Sequence, residues 1–363
     1  MRQFETTLNR MPVRTWSRPP VNGAGLTLRA ASAPFAADAA VRASEQIILK
    51  QSFDGPGLDA ALTGPFVPAG LETFIDGTAN LRRYIRIPKN HTEPEPILLA
   101  LRLGTYNPAL TEDIIIEAEE GSKATVILTY TSAADAPVEH CGRTRVTVGR
   151  NAGVTLVKAQ MLPGGATHTD AIGGLVHEGG RLDVIAAELG AARPLSSCNL
   201  ILDGDGGEAG LHAIYLGDGE RSLDLSYRVE HRGRNTVSYI GARGILLEKS
   251  RKVFRDTLDF KSGAAGSRGR EEESVLMLSP DVRNISVPLL LCGEDDVEGE
   301  HAASSGRPDD KLLFYLMSRG IGEREAKKLL AQASVSSIVE KIPDASVQRA
   351  ILDAVRGSIE RGG

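Results

Sequence analysis

The sequence predicts a mainly β chain built from stacked, similar units, and three observations carry that expectation. Four consecutive stretches each hold an apolar run, a Gly-bearing turn and a second apolar run: EDIIIEAEEGSKATVILTYTS, GRTRVTVGRNAGVTLVKAQML, AIGGLVHEGGRLDVIAAEL and CNLILDGDGGEAGLHAIYLG, with SLDLSYRVEHRGRNTVSYIGARGILL continuing the series. The second runs begin near Thr125, Val154, Leu182 and Leu211, a recurrence of roughly 28 residues, in the range where repeats signal stacked units. Strong hairpin dipeptides are missing at most of the turns, although glycine is abundant, at 39 residues. A sandwich of up-and-down hairpins and a solenoid with two strands per coil both satisfy the first observation. The steady period favours the solenoid, a β-helix.

Composition divides the chain into three zones. Residues 1–75 mix Pro/Gly breaks with pieces such as AADAAVRASEQIILK that read as helix, so this zone is expected to be a small, mostly helical and irregular cap. Residues 76–302 form the β body. Residues 303–363 read as helices: Pro308-Asp309-Asp310 starts one that stops at Gly320, GEREAKKLLAQA makes a second, SVSSIVEKI a third and DASVQRAILDAVRGSIE a fourth. Leu312, Leu313, Leu316 and Met317 share one helical stripe, which reads as core.

The bulk numbers exclude several classes. Hydrophobic residues at 41% and charged residues at 25% are ordinary for a globular chain, so disorder is not the expected state. A net charge of −5 gives no general attraction for nucleic acid or an anionic membrane. Cys141, Cys198 and Cys292 are widely spaced and odd in number, which argues against a disulfide framework and for a reducing compartment. The first twenty residues lack the apolar stretch of a secretory signal, and no run of about 18 apolar residues occurs. The expected address is cytoplasmic, with neither membrane nor nucleic acid as partner.

Single motifs carry less. RGIGEREAKKLL has the pattern of a helix-hairpin-helix turn that lends backbone N–H groups to a phosphate, the alternative reading as a nucleic-acid-binding protein over residues 319–330. Against it, Gly320 as a helix C-cap explains the glycines, and Glu323 and Glu325 sit where the phosphate would lie. LDGDGGEAG reads as a solenoid corner because it lacks calcium-loop spacing. His140 and Cys141 are adjacent, so on a strand they point to opposite faces. His168 and His177 lie near turns without a partner visible in the spacing, and Cys292, within VPLLLC, reads as a buried thiol. No GxSxG, HExxH or P-loop sequence occurs. A β-helix also suits a carbohydrate-active enzyme, by fold analogy alone.

The segment DDVEGEHAASSGRPDDKLLFYLMSRGIGEREAKKLL resembles the C-terminal signature of the SufB/SufD family of iron–sulfur cluster assembly proteins, in which a DDV, an H-x-A-T element and LFYLxSRGIxxxEAxxLL follow in order. LNRMPVRTW resembles the N-terminal arm of SufD members, and HRGRNTVS an H-x-x-x-x-T-x-S element in mid-body. The resemblance implies a flattened right-handed parallel β-helix flanked by N- and C-terminal helical regions. It implies a non-catalytic scaffold that pairs with a SufB-type paralogue or a second copy through the β-helix ends. A SufC-type ABC ATPase would dock on the C-terminal helices, with Leu313, Phe314, Tyr315, Met317 and Arg319 as candidate contacts. His301 stands at the position of the family's seam histidine, where it would share a metal with the partner chain; no cofactor is expected to bind stably, and a cluster only transiently. Counted back without gaps, the cysteine position of SufB falls on Glu273, and the glutamate after the histidine is Ala302. Both departures push the chain toward SufD.

Overall fold

The computed structural model describes residues 3–15, 19–31, 33–35, 39–51, 69–132 and 137–361. Strands β1 (Gln3–Leu8) and β2 (Ala24–Arg29) form an antiparallel pair, followed by the short strands β3 (Ala39–Arg42) and β4 (Ile48–Lys50) and helix α1 (Ala69–Thr78). The early body comprises β5 (Leu81–Ile87), β6 (Ile97–Leu103), β7 (Ala109–Ala118), β8 (Lys123–Ser132), β9 (Glu139–Val148), β10 (Gly153–Met161), β11 (Thr167–Val176) and β12 (Arg181–Glu188). The later body comprises β13 (Arg193–Leu202), β14 (Glu208–Gly217), β15 (Ser222–His231), β16 (Val237–Leu246), β17 (Arg251–Phe260), β18 (Ser267–Met277), β19 (Arg283–Cys292) and β20 (Val297–Gly306). Helices α2 (Asp310–Ser318), α3 (Glu323–Val339) and α4 (Ala345–Arg361) close the chain.

Odd-numbered strands from β5 to β19 pair in parallel in one sheet and even-numbered strands from β6 to β20 in the other. Each coil therefore contributes one strand to each sheet, and eight coils make a parallel β-solenoid, as the period predicts. The register is direct: Val154 of β10 pairs with Leu182 of β12, 28 positions on in the chain. Inward-facing Val126, Leu156, Val184, Leu211 and Ile240 are stacked one per coil and are all fully buried.

One corner recurs in each of the first seven coils. Asn90, Gly121, Asn151, Gly179, Gly206, Asn235 and Gly266 all adopt positive φ, between 53° and 75°. The backbone N–H of each donates to a carbonyl of the following coil, for example Asn151 N to Glu178 O at 3.0 Å and Gly179 N to Asp205 O at 2.9 Å. Only Gly and Asn enter the left-handed region at low cost, so the turn chemistry fixes the residue type at this corner. LDGDGGEAG is one of these corners, between β13 and β14.

The N-terminal zone departs from expectation. AADAAVRASEQIILK holds strands β3 and β4 rather than helix, although residues 36–38 and Trp16 of the arm lie outside the described residues. Pairing decides this: β3 lies antiparallel on β6 and β4 antiparallel on β5, covering the first coil's edge. Such tertiary pairing overrides a weak helix propensity. Helix α1 and the β1–β2 pair pack through Leu8, Leu28, Leu71, Phe74 and Ile75 on the outer face of the odd sheet. Arg143, 1% exposed, anchors α1 by reaching Asp113 and Asp76, both at 2.6 Å.

At the other end the predicted second and third helices are one, α3. Val335, Ile338 and Val339 are buried against Ile185, Ile214 and Ile245 of the even sheet, and this packing carries the helix through its serine run. Helix α4 adds Val347, Ile351 and Val355 to the same layer. Helix α2 ends in a Schellman turn: Ile321 N donates to Leu316 O at 3.2 Å and Gly320 N to Met317 O at 3.0 Å, with Gly320 at φ 85°.

Substituting Gly179 by Val forces a β-branched residue into the left-handed region. Urea denaturation is expected to show a loss of about 1–2 kcal/mol; an unchanged midpoint would remove the corner's conformational requirement.

Candidate functional site

The solenoid's last coil, β19 and β20, has no strand beyond it among the described residues. Inward-facing positions therefore change character here. The column of Val126, Leu156, Val184, Leu211 and Ile240 continues to Glu271 on β18 and ends at His301 on β20. On the opposite sheet, Ile172, Cys198 and Tyr227 are followed by Asp256 and Pro288. Register partners on neighbouring parallel strands share a face, so His301 faces inward beside Glu271, at the mouth of the stack. Its side chain is exposed and, among the described residues, has no hydrogen-bond or ion-pair partner.

Below His301 the interior is polar. Glu273 accepts hydrogen bonds from Tyr215 Oη and Lys252 Nζ, both at 2.6 Å, and from Ser286. Lys252 is fully buried, and burial lowers its ammonium against the pull of Glu273. Asp256 and Glu271 are 4% and 0% exposed, yet Asp256 Oδ1 and both Glu271 oxygens lack a hydrogen-bond donor. Burial and the charge of Asp256 push Glu271 up to about 9; burial and the charge of Glu273 push Asp256 up to about 7.

A second buried polar cluster lies mid-solenoid. His140 Nδ1 and His168 Nδ1 are 2.8 Å apart, so one donates and the other accepts. His140 Nε2 lies 3.5 Å from Glu112, and His168 Nε2 lies 3.5 Å from Glu188. Lys158 Nζ bonds Asp170 at 2.8 Å and Thr144 at 2.9 Å. Burial pushes the Glu112 carboxyl up, but Lys158, His140 and Tyr130 together hold it at about 2. The two histidines are direct register partners, 28 positions apart, so the repeat period itself was the signal for a pairing that residue spacing read locally does not reveal. Cys141 faces the opposite way, into the layer under α1, and burial pushes its thiol well up.

HRGRNTVS is a hydrogen-bonded corner. His231 Nδ1 meets Thr236 Oγ1 at 2.7 Å, His231 Nε2 meets Ser238 Oγ at 2.8 Å, and Thr236 Oγ1 meets Ser267 Oγ of the next coil at 2.7 Å. The spacing of His, Thr and Ser is the spacing that lets one imidazole bridge a turn and its outgoing strand.

Two expectations about the C-terminal region are corrected. The stripe on α2 is not core: Leu312 and Met317 are 43% and 45% exposed, Leu316 is half-buried, and α2 buries none of its residues, because α3 and α4 occupy the sheet face; Phe314 and Tyr315 beside the stripe are 74% and 52% exposed. Leu313 is half-buried, and the Arg319 guanidinium lies 5.2 Å from the Tyr315 ring centre. Cys292 is exposed rather than buried, because among the described residues no further strand follows β19 in its sheet. Among the described residues, no three His, Cys, Asp or Glu side chains are placed to hold one metal ion, and no helix is long and apolar enough to cross a membrane. At the Gly320–Gly322 turn, Gly322 caps α3 while Glu323 and Glu325 occupy its first turn, an unfavourable seat for a phosphate.

The family model described as SUF system FeS cluster assembly, SufBD core domain, matches residues 102–334, from the end of the first coil through most of α3. The chain belongs to the SufBD family. Similar curated proteins include the iron–sulfur cluster assembly protein SufD of Bacillus subtilis, 27% identical over 280 residues, which cover 76% of this chain and 64% of that protein. The iron–sulfur cluster assembly SufBD family protein of Staphylococcus saprophyticus is 25% identical over 265 residues, 72% of this chain and 56% of that protein. The chain thus spans less than two thirds of the length of these relatives. The match to the SufBD core includes the polar mouth, His301 and all of α2.

In this SufBD chain, burial pushes the His231 imidazole down to about 4, so the folded state keeps it neutral while the unfolded chain binds a proton below about 6.5. The fold therefore has the full contribution above pH 6.5 and loses it as pH falls toward 4, on the order of 3 kcal/mol. Thermal melts between pH 4 and 7 are expected to fall steeply in the wild type. His231→Gln should melt lower at pH 7 but show a flatter slope; an equally steep slope would assign the acid loss elsewhere.

Proposed function

We propose that the chain is a non-catalytic scaffold subunit of iron–sulfur cluster assembly, SufD-like, acting in the cytoplasm. Membership of the SufBD family supports this reading, and the observation that carries it is the exposed, inward-facing His301 at the open end of the solenoid within the matched core. An imidazole there offers iron one nitrogen ligand and needs thiolate from a second chain to hold a cluster. A SufB-type paralogue, or a second copy, would meet the β19–β20 end and close the mouth. Glu273, at the position counted for the SufB cysteine, is committed to Lys252 and Tyr215 and offers no thiolate there, so the paralogue is the proposed source of one. A cluster would be held transiently, as cargo, without a resident cofactor.

The exposed face of α2 is the proposed seat of a SufC-type ABC ATPase, with Phe314, Tyr315 and Met317 as its apolar centre, Leu313 at its base and Arg319 at its edge. Solvent exposure of three large apolar side chains on one short helix is what an aromatic-rich contact requires.

His301→Ala is expected to leave the melting temperature unchanged, since the side chain is exposed, and to reduce cluster formation by the assembled complex at least about tenfold. Normal cluster formation would refute the seam role. Phe314→Ala with Met317→Ala should weaken ATPase binding by about tenfold or more at unchanged stability, measured by calorimetry; undiminished binding would place the ATPase elsewhere.

A further inference from the structure

Away from the open end, a pocket on the outer face of the even sheet holds a buried imidazole whose hydrogen bonds are unmet. It lies under the end of α3 and encloses about 470 Å³, within the size range of small-molecule sites. Strand β12 contributes Arg181 and Asp183 to its wall, β14 Glu208 and His212, and β16 Tyr239 and Arg243, while Lys341 reaches in from the turn after α3. Two glycines keep the floor low. A Cβ at Gly210 would run into the Asp183 carboxylate and stand 3.1 Å from His212 Nε2, and one at Gly241 would overlap the Tyr239 ring.

His212 is 8% exposed, with its ring centre 5.6 Å from that of Tyr239. Among the described residues neither of its ring nitrogens has a hydrogen-bond partner, and the Asp183 carboxylate, 4.0 Å from Nε2, is out of reach. The other buried histidines each have at least one partner: His140 and His168 meet at 2.8 Å, and His231 meets Thr236 and Ser238. An imidazole buried for packing alone would carry the same requirement. The charges around it divide unequally. Arg181 holds both carboxylates, Asp183 at 2.7 Å and Glu208 at 2.5 Å, and Arg243 is bonded to Glu272 at 2.6 Å. Lys341 is exposed and has no ion-pair partner among the described residues. Burial and the charge of Lys341 push the His212 imidazole down to about 4, against the pull of Asp183.

The geometry points to a binding site for a small oxyanion, a phosphate or carboxylate group, held between α3 and the even sheet by the Lys341 ammonium and an N–H of His212. A neutral imidazole donates from one nitrogen, and the ammonium supplies the charge. Tyr239 and the half-exposed Val237 form an apolar wall for the remainder of the molecule that bears the anion. An occupant bridges β14 and the turn after α3, so its binding free energy adds to the attachment of the C-terminal helices. The site holds or fails independently of the scaffold reading.

The test titrates the full-length chain with inorganic phosphate and, separately, with succinate, by calorimetry at constant ionic strength, and follows the melting temperature in parallel. The expected result is one-to-one binding of at least one of the two anions and a melting temperature that rises with its concentration. Affinity should fall about tenfold or more in Lys341→Met and in His212→Gln. Lys341 is exposed, so Lys341→Met keeps the ligand-free melting temperature and decides the matter where His212→Gln fails to fold. Binding of phosphate without succinate supports a phosphate-bearing ligand, and the reverse a carboxylate. Binding of neither anion, or binding that either folded variant leaves undiminished, would overturn the site.

Discussion

The coils of this protein are positioned by the hydrogen bonds that their strands and left-handed corners make to neighbouring coils. The corner at Asn151 and its equivalents sets where a strand ends, the parallel ladder sets where the next begins, and together they hold every inward side chain over its counterpart. A one-residue slip in any coil would turn its inward residues outward. That constraint makes the interior a set of columns, and the character of a column can be changed only one residue per coil. His301 lies at the mouth because its column ends there, not because a loop carries it there.

The same constraint explains how so many charged groups lie inside. Burying ions is costly unless they are paired. Mid-solenoid, Lys158 stands between Glu112 and Asp170, and the histidine pair lies between two glutamates, so the carboxylates have a cation or an imidazole within 3.5 Å. Near the end the supply of neighbours fails. Lys252 is bonded to Glu273, and its charge only partly offsets the burial that pushes Asp256 up, while burial and the charge of Asp256 push Glu271 up. The polar interior is balanced in the body and unbalanced at the end that is open.

The sequence shows the body better than its ends. Val154 and Leu182, read as run starts, are true register partners, whereas Thr125 and Leu211 stand one and two residues past theirs, Ala124 and Ala209. The stacking period follows from covalent spacing and survives in the text. Strands β3 and β4 were illegible because an Ala-rich stretch has no β pattern of its own; the edge it covers makes it a strand. Helix α2 misled in the opposite sense, since an apolar stripe looks the same in sequence whether it is buried or exposed. His301 was found through its sequence neighbours. Glu271 and the His140–His168 pair required knowing which residues stack, which local spacing does not state.

The passage from β20 to α2 has a mechanical consequence. Only residues 307–309 separate the last strand from the exposed helix, and among the described residues β20 is held in the sheet along one side alone. A displacement of α2 away from the body would therefore load the ladder at Gly306 first and then, bond by bond, back toward Val297. Hydrogen bonds opened in sequence from one end offer less resistance than the same bonds strained together. The terminal strand is built as a zipper with its tab at α2, and His301 lies midway along the teeth.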